Sequence, residues 1–181
     1  EWAPNATDIF LIGNFSEWKE NTKYRFSKLK NGVWELKLKT GEIKHLDLYK
    51  LSMHWNGGHG ERIPAWATRV VQDEKTYIFS AQVWSPSRPY KFKKKKFKPQ
   101  ISPLLIYECH IGMAQEEERI GSYNEFREKI LPRIAKDGYN AIQIMAIQEH
   151  PYYGSFGYHV SSFFAPSSRF GTPDELKQLI D

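Results

Sequence analysis

Cysteine is nearly missing from this sequence: Cys109 is the only one in 181 residues. No intramolecular disulfide can form, and a thiol set inside an apolar strand pattern reads as packing, not reactivity. No apolar run approaches the roughly 20 residues that a membrane-spanning helix needs. The opening residues, EWAPNA, carry neither the basic nor the apolar region of a secretory leader. These absences suggest a reducing compartment, the cytoplasm or a plastid if a targeting segment precedes Glu1, and no membrane partner. A metal-ligand cluster is also missing. His54 and His59 flank a glycine loop with no further ligands nearby, so they read as a surface loop. Tryptophan is absent after residue 84; all six (2, 18, 34, 55, 66 and 84) lie in the first half.

The formal net charge of +5 suggests an anionic partner until its source is located. The segment KFKKKKFK, Lys91 to Lys98, holds six lysines, and without them the net charge is −1. The basic character is one local tract. With Phe92 and Phe97 interleaved it has the form of a nucleic-acid patch. A solvated connector is the preferred reading, and no nucleic-acid partner is expected.

What is present falls into two halves. Residues 1–85 read as all-β. Asp8–Ile12 is a short apolar strand ended by Gly13 and Asn14. Asn31-Gly32 signals a hairpin turn, and Val33–Lys39 alternates, with Trp34, Leu36 and Leu38 on one face. Tyr49, Leu51, Met53 and Trp55 line one face of the next strand, and Asn56–Gly60 reads as a loop. Thr68–Val71 and Thr76–Trp84 add two more strands around a turn at Gln72–Lys75. Short strands at this spacing predict a sandwich. Strand parity buries Trp34, and Trp18 also reads as core. Trp55 and Trp66 stay open between core filling and stacking on a flat ligand face.

Pro86, Pro89, Pro99 and Pro103 keep residues 86–103 free of regular structure. Leu104–Cys109 is an apolar strand. Ser122 to Glu125 forms a capping box, and Phe126, Ile130 and Ile134 fall four apart on one helix face. Pro132 predicts a kink or break, and Gly138 a C-cap. From Ala141 to Ile147 only Gln143 is polar, which predicts a strand buried on both faces, as parallel strands are. Thr172 to Glu175 is a second capping box, with Pro173 at the first helical position. Between these lies an aromatic stretch containing Glu149, His150, Tyr152, Tyr153, Phe156, Tyr158 and His159, jointed at Gly154 and Gly157. Strand–loop–helix repeats place chemistry at the carboxyl ends of their strands. Glu108 and Glu149 both fall there, and each reads either as one of a catalytic carboxyl pair or as a structural acid.

The segments LLIYECHIGM (104–113) and GYNAIQIMAIQEHPYYGSFGYHVSSFFAPSSRFGTPDELKQLID (138–181) resemble the opening of the catalytic barrel of 1,4-α-glucan branching enzymes, members of the α-amylase superfamily. EWAPNATDIFLIGNFSEW (1–18) resembles the family 48 type carbohydrate-binding module that precedes that barrel. The resemblance implies an all-β immunoglobulin-like sandwich followed by the first βα units of an incomplete (β/α)8 TIM barrel. The implied domains are residues 1–97, the module with its linker, and residues 98–181, the barrel start. It implies transfer of α-1,4-linked chains to form α-1,6 branches, with no organic cofactor and with glycogen, amylose or amylopectin as partner. The family's catalytic Asp, Glu and Asp come from later barrel strands, so no catalytic residue is assigned within 1–181, and the first signature motif is expected just after Asp181. Tyr158 matches the tyrosine of the family's Gly-Tyr-Gln loop, which packs on the sugar ring at the cleavage subsite. His159 stands where that family has Gln. Phe156, Tyr153, His159, Trp55 and Trp66 complete the candidate glucan-contacting set. A debranching hydrolase and a non-catalytic glucan-binding protein are the alternatives.

Overall fold

The alternation in the first half becomes a five-stranded antiparallel sheet and a separate two-stranded one in the computed structural model, which describes residues 1–94, 97–98 and 103–181. The described chain is mostly sheet with few helices. It divides into two compact units, Glu1–Ser87 and Arg88–Asp181.

The first unit contains β1 (Ala6–Gly13), β2 (Ser27–Lys28), β3 (Trp34–Glu35), β4 (Leu48–Trp55), β5 (Gly58–Arg62), β6 (Val70–Gln72) and β7 (Phe79–Gln82). The main sheet runs β1-β4-β7-β6, with β5 also paired to β4. β1 occupies one edge of β4 from Tyr49 to Trp55, while β5 and β7 share the other. Ile9 and Leu11 on β1, and Tyr49, Leu51 and Met53 on β4, alternate inward, as period-two geometry requires. Ile9, Leu11, Leu51 and Met53 are buried together with Trp34, Ala3, Ala6 and Tyr24. Each large side chain so buried contributes roughly 1.5–3 kcal/mol. The buried indole of Trp34 donates from Nε1 to the Ala3 carbonyl at 2.9 Å, so its polar atom is satisfied.

Three expectations for this unit need correction. The Val33–Lys39 alternation survives in burial, since Leu36 and Leu38 pack on the core, but only Trp34 and Glu35 pair as strand. The Asn56–Gly60 segment is not all loop: Asn56-Gly57 is a two-residue turn, and Gly58 to Gly60 pair with β4. Gly57, the second turn residue, takes the positive φ of +90° that favours glycine there. Trp18 is not core. Glu17 and Trp18 both take left-handed backbone (φ 51° and 58°) after a 3-10 turn at Asn14–Ser16, and this carries the indole off the sheet to 39% exposure.

The second unit contains β8 (Ile106–His110), α1 (Tyr123–Glu125), a π-helical turn (Phe126–Ile130), α2 (Leu131–Lys136), β9 (Ala141–Met145), β10 (Gln148–Glu149), β11 (Ser162–Pro166) and α3 (Pro173–Ile180). Both capping boxes form. Ser122 Oγ accepts the Glu125 N–H at 3.2 Å while Glu125 accepts the Ser122 N–H at 3.1 Å. Thr172 and Glu175 repeat the exchange. Pro132 interrupts regular α geometry as expected: its ring crowds the carbonyl four residues earlier, so the helix widens to a π turn before it and resumes as α2. Gly138 caps α2 with φ +93°, and its N–H reaches the Ala135 carbonyl.

β8 and β9 pair in parallel, from Ile106↔Ala141 to His110↔Met145. The expected burial of both faces of Ala141–Ile147 is not met. Gln143 is exposed and its neighbours are only half-buried, because among the described residues no third strand joins the pair. The paired strand also ends at Met145, where Ala146 turns into left-handed backbone. Cys109 is buried in this unit's core with Ile111, Tyr123, Phe126, Ile134, Phe170 and Leu179, and burial pushes its thiol up, which fits a packing role. Pro99 of the proline-rich segment, and Lys95 and Lys96 of the lysine tract, lie outside the described residues. The described part of that tract is tied to the end of α3: Asp181 accepts the N–H groups of Lys93 and Lys94 at 2.9 Å and the Tyr90 hydroxyl at 2.7 Å.

Candidate functional site

The loop from His150 to Ser161 joins β10 to β11, and its base is built by a buried carboxylate. Glu149 is fully buried. One oxygen accepts the Ser168 N–H at 2.6 Å, and the other accepts the His150 N–H at 3.3 Å. Arg169 donates to the His150 and Pro151 carbonyls, which clamps the loop's first turn. His150 is also fully buried, with Nδ1 at 3.0 Å from the Gln148 carbonyl.

Above this base the chain reverses tightly. Tyr153–Ser155 form a 3-10 turn, and Ser155 Oγ donates to the Tyr152 carbonyl at 2.7 Å. Phe156 (φ +51°) and Gly157 (φ +83°) then take left-handed backbone. A side chain at Gly157 would stand 2.4 Å from Ala146, so the loop folds directly onto the end of β9.

This reversal sorts the aromatic residues. Tyr158 is 77% exposed and Phe156 is 43% exposed. Tyr153 turns inward against the unit's core, and burial pushes its phenol up. His159 is exposed beside Tyr158. A cavity of about 440 Å³ borders Tyr153 and Phe156, with Gln115, Glu117, Glu118 and Arg119 on its polar side. Four of the six sequence-derived candidates are therefore on one loop. Trp55 and Trp66 belong to the first unit and form a separate set.

Glu108 and Glu149 do not form a working carboxyl pair. Glu149 has both oxygens engaged by backbone N–H groups and no exposure. Glu108 is exposed and accepts from Gln143 Nε2 at 3.1 Å. An acid that must reach a glycosidic oxygen needs access, and the buried one has none.

In the first unit, Trp55 (46% exposed) lies across its hairpin partner, close enough that a side chain at Gly58 would stand 3.0 Å from Nε1. Trp66 is 67% exposed. Sequence reasoning missed Trp18. Lys50 Nζ lies over its ring, 5.9 Å from the centroid, and 2.8 Å from Glu61, so one face of the indole meets a cation. The Gly13-Asn14 signal marks the end of β1 but not the direction of Trp18, which follows from the left-handed backbone at Glu17 and Trp18. His54 and His59 stack with centroids 5.6 Å apart, and Glu20 accepts from Ser52 and meets His54 Nε2, each at 2.6 Å. Among the described residues no group of three or more His, Cys, Asp or Glu is arranged to hold a metal.

Sequence reasoning also passed over His110, the last residue of β8. Its ring meets Tyr153, Phe156 and Phe170 edge to face, with centroids at 6.0, 6.2 and 5.6 Å. The rule that singled out Glu108, polar residues at carboxyl ends of strands, selects His110 equally well.

Comparison with known proteins supplies context for this geometry. Residues 1–67 match the family described as Carbohydrate-binding module 48 (Isoamylase N-terminal domain). Over its whole length the chain is 45% identical to a 1,4-alpha-glucan-branching enzyme of Eremothecium gossypii, covering 28% of that protein. It is 47% identical to the enzyme of that name from Rhizophagus irregularis, covering 27%. It is 45% identical to a chloroplastic/amyloplastic form from Arabidopsis thaliana, covering 23%. The chain thus spans about a quarter of the length of the curated relatives it matches. Among solved structures, a pullulanase from Bacillus acidopullulyticus shares the fold at TM-score 0.78 and 19% identity, over 99% of this chain and 26% of that one. A pullulanase from an Anoxybacillus species complexed with maltotriose does so at TM-score 0.70 and 22% identity, over 99% of this chain and 30% of that one.

Proposed function

We propose that this chain is the amino-terminal part of a 1,4-α-glucan-branching enzyme of the α-amylase superfamily. Residues 1–97 are then a sandwich-type glucan-binding module with its linker, and residues 98–181 the first βα units of the (β/α)8 catalytic barrel. The observation that carries this reading is identity of 43–47% to enzymes of that name along the whole chain. The parallel β8–β9 pair joined by a capped helical segment supports a barrel start, because parallel neighbours with a helical crossover are that fold's repeating unit. Pullulanases at 19–22% identity share the fold, and at that distance the likeness says nothing about hydrolysis against transfer.

In the proposed reaction a carboxylate attacks the anomeric carbon of an α-1,4 bond. A second carboxyl group protonates the departing 4-oxygen. The glycosyl-enzyme ester is then attacked by a 6-hydroxyl, which gives up its proton to that same group as the α-1,6 bond forms. These carboxyl groups belong to later strands of the barrel, and Glu108 within β8 and Glu149 at the end of β10 take no part. The contribution of this chain is binding. Tyr158 and Phe156 present ring faces to the sugars at the barrel mouth, Tyr153 supports them from below, and His159 flanks Tyr158. Trp55 and Trp66, with Trp18, offer flat faces on the module, where stacking holds glycogen, amylose or amylopectin. The reading places the enzyme in the cytoplasm, or in a plastid where a transit segment precedes it. Among the described residues no helix is long and apolar enough to cross a membrane.

The test is an affinity gel with glycogen in the matrix, run on this 181-residue chain. Retardation that soluble maltoheptaose reverses supports the reading. Mobility unaffected by glycogen removes the module's assigned role.

A further inference from the structure

We infer that His110 is a positioning residue, a wedge that holds the Tyr153–Tyr158 loop in the form that contacts sugar; this rests on the glucan reading above. Three rings close around its imidazole at interplanar angles of 82°, 80° and 78°. Two of the three, Tyr153 and Phe156, belong to the sugar-facing loop. The third, Phe170, is fully buried in the unit's core and fixes the other side. Edge-to-face contacts of this kind contribute about 0.5–1.5 kcal/mol each beyond area burial. They hold the loop only while the ring stays put. Both ring nitrogens of His110 are buried, and neither has a hydrogen-bond partner among the described residues. The imidazole is therefore retained by ring contacts.

A phenylalanine would make similar contacts without burying two polar nitrogens, which carries a cost. What histidine adds is a proton equilibrium under the loop. Burial, then the nearby His150, holds His110 below the usual histidine range. The charged and titratable groups on the neighbouring elements supply no counter-charge. Glu149 is committed to two backbone N–H groups, and Arg169 to two carbonyls. The Tyr153 phenol, pushed up by burial, stays neutral. Edge-to-face contact of an imidazolium with aromatic rings can favour the charged form, but desolvation and then His150 set the direction here. Protonation then puts an uncompensated charge beneath Phe156 and loosens the loop. As pH falls below about 6.5, the unperturbed histidine value, sugar contact weakens.

The experiment uses the full-length protein and amylose, comparing wild type, His110→Phe and His110→Ala across pH. For wild type, KM is expected to rise on the acid side while kcat changes less. For His110→Phe the acid-side rise in KM disappears, with KM near neutral pH within roughly twofold of wild type. For His110→Ala, KM rises roughly fivefold or more at every pH. A His110→Phe protein that keeps the acid limb of KM, or a folded His110→Ala protein with unchanged KM, overturns the inference. Wild-type protein with no action on amylose defeats the glucan reading itself, and the inference with it. A result in which wild type branches amylose while both variants match it defeats the inference alone.

Discussion

Glu149 and Ser168 are joined across nineteen residues of chain by a 2.6 Å hydrogen bond from the Ser168 backbone N–H to a carboxylate oxygen with no solvent exposure. The bond closes the base of the aromatic loop and leaves Glu149 without access to a substrate. Its role is to hold the loop, so Glu149→Ala acts first on stability. The expected loss is about 2–3 kcal/mol, the scale of removing a charge-assisted bond and leaving buried N–H groups unpaired. Urea denaturation of the variant checks this. An unchanged midpoint combined with lost activity would assign Glu149 to the chemistry.

Gly157 and Gly41 have nearly the same backbone, φ +83° and +87°, but different surroundings. A side chain at Gly157 meets Ala146 at 2.4 Å, while one at Gly41 meets nothing within 4 Å. Gly41→Ala is expected to cost about 1 kcal/mol, the conformational cost of positive φ alone. Gly157→Ala adds a backbone clash, for a total of roughly 2–4 kcal/mol. It also displaces Tyr158, so maltoheptaose binding weakens. Paired thermal unfolding and calorimetric titration separate the two effects.

Arg119 and Ser122 hold the Glu125 carboxyl down at about 2, from the usual glutamate value of 4.5, with the Arg119 guanidinium as the larger cause. A depressed carboxyl contributes stability that is complete above the unfolded value near 4.5 and is lost as pH falls towards 2. The start of the 123–136 helical segment therefore loosens in acid and not in base. A side-chain carboxyl titration by NMR should show Glu125 well below its usual value, and Arg119→Ala should move it up.

Trp34 and Trp18 test the correction made by the structure. Trp34 is 4% exposed in the core and Trp18 is 39% exposed outside it. Trp34→Ala is expected to cost about 3–5 kcal/mol and to melt the first unit. Trp18→Ala should change stability by less than about 0.5 kcal/mol. It should weaken retardation by glycogen roughly fivefold, about 1 kcal/mol. Trp55→Ala and Trp66→Ala should act in the same direction. Loss of folding in Trp18→Ala would return that residue to the core.

Local signals were the most legible part of the sequence. Ser122, Glu125, Thr172, Pro173 and Gly138 announced helix ends because capping chemistry is decided within four residues. The parity of Leu51 and Met53 announced the core because strand geometry alternates by two. Trp18 was not legible, because two consecutive left-handed residues turned it outward, a conformation that neither a glutamate nor a tryptophan announces. Neither was the exposure of Ile106 and Gln143, which depends on how many strands join β8 and β9 and not on either strand. At the loop, the motif identified Tyr158 and Phe156 but not their order of burial. That order follows from the reversal at Phe156-Gly157 and from the distant ring of His110, which no spacing rule connects to it.

The most direct measurement is linkage analysis of amylose treated with the full-length protein, reading α-1,6 and α-1,4 anomeric protons by NMR alongside new reducing ends. The account expects α-1,6 linkages to appear without a matching rise in reducing ends, because each cleaved chain is transferred to a 6-hydroxyl. It expects this 181-residue chain alone to bind glucan and leave its linkages unchanged. Reducing ends that accumulate with no α-1,6 signal, or branching by the 181-residue chain itself, would contradict it.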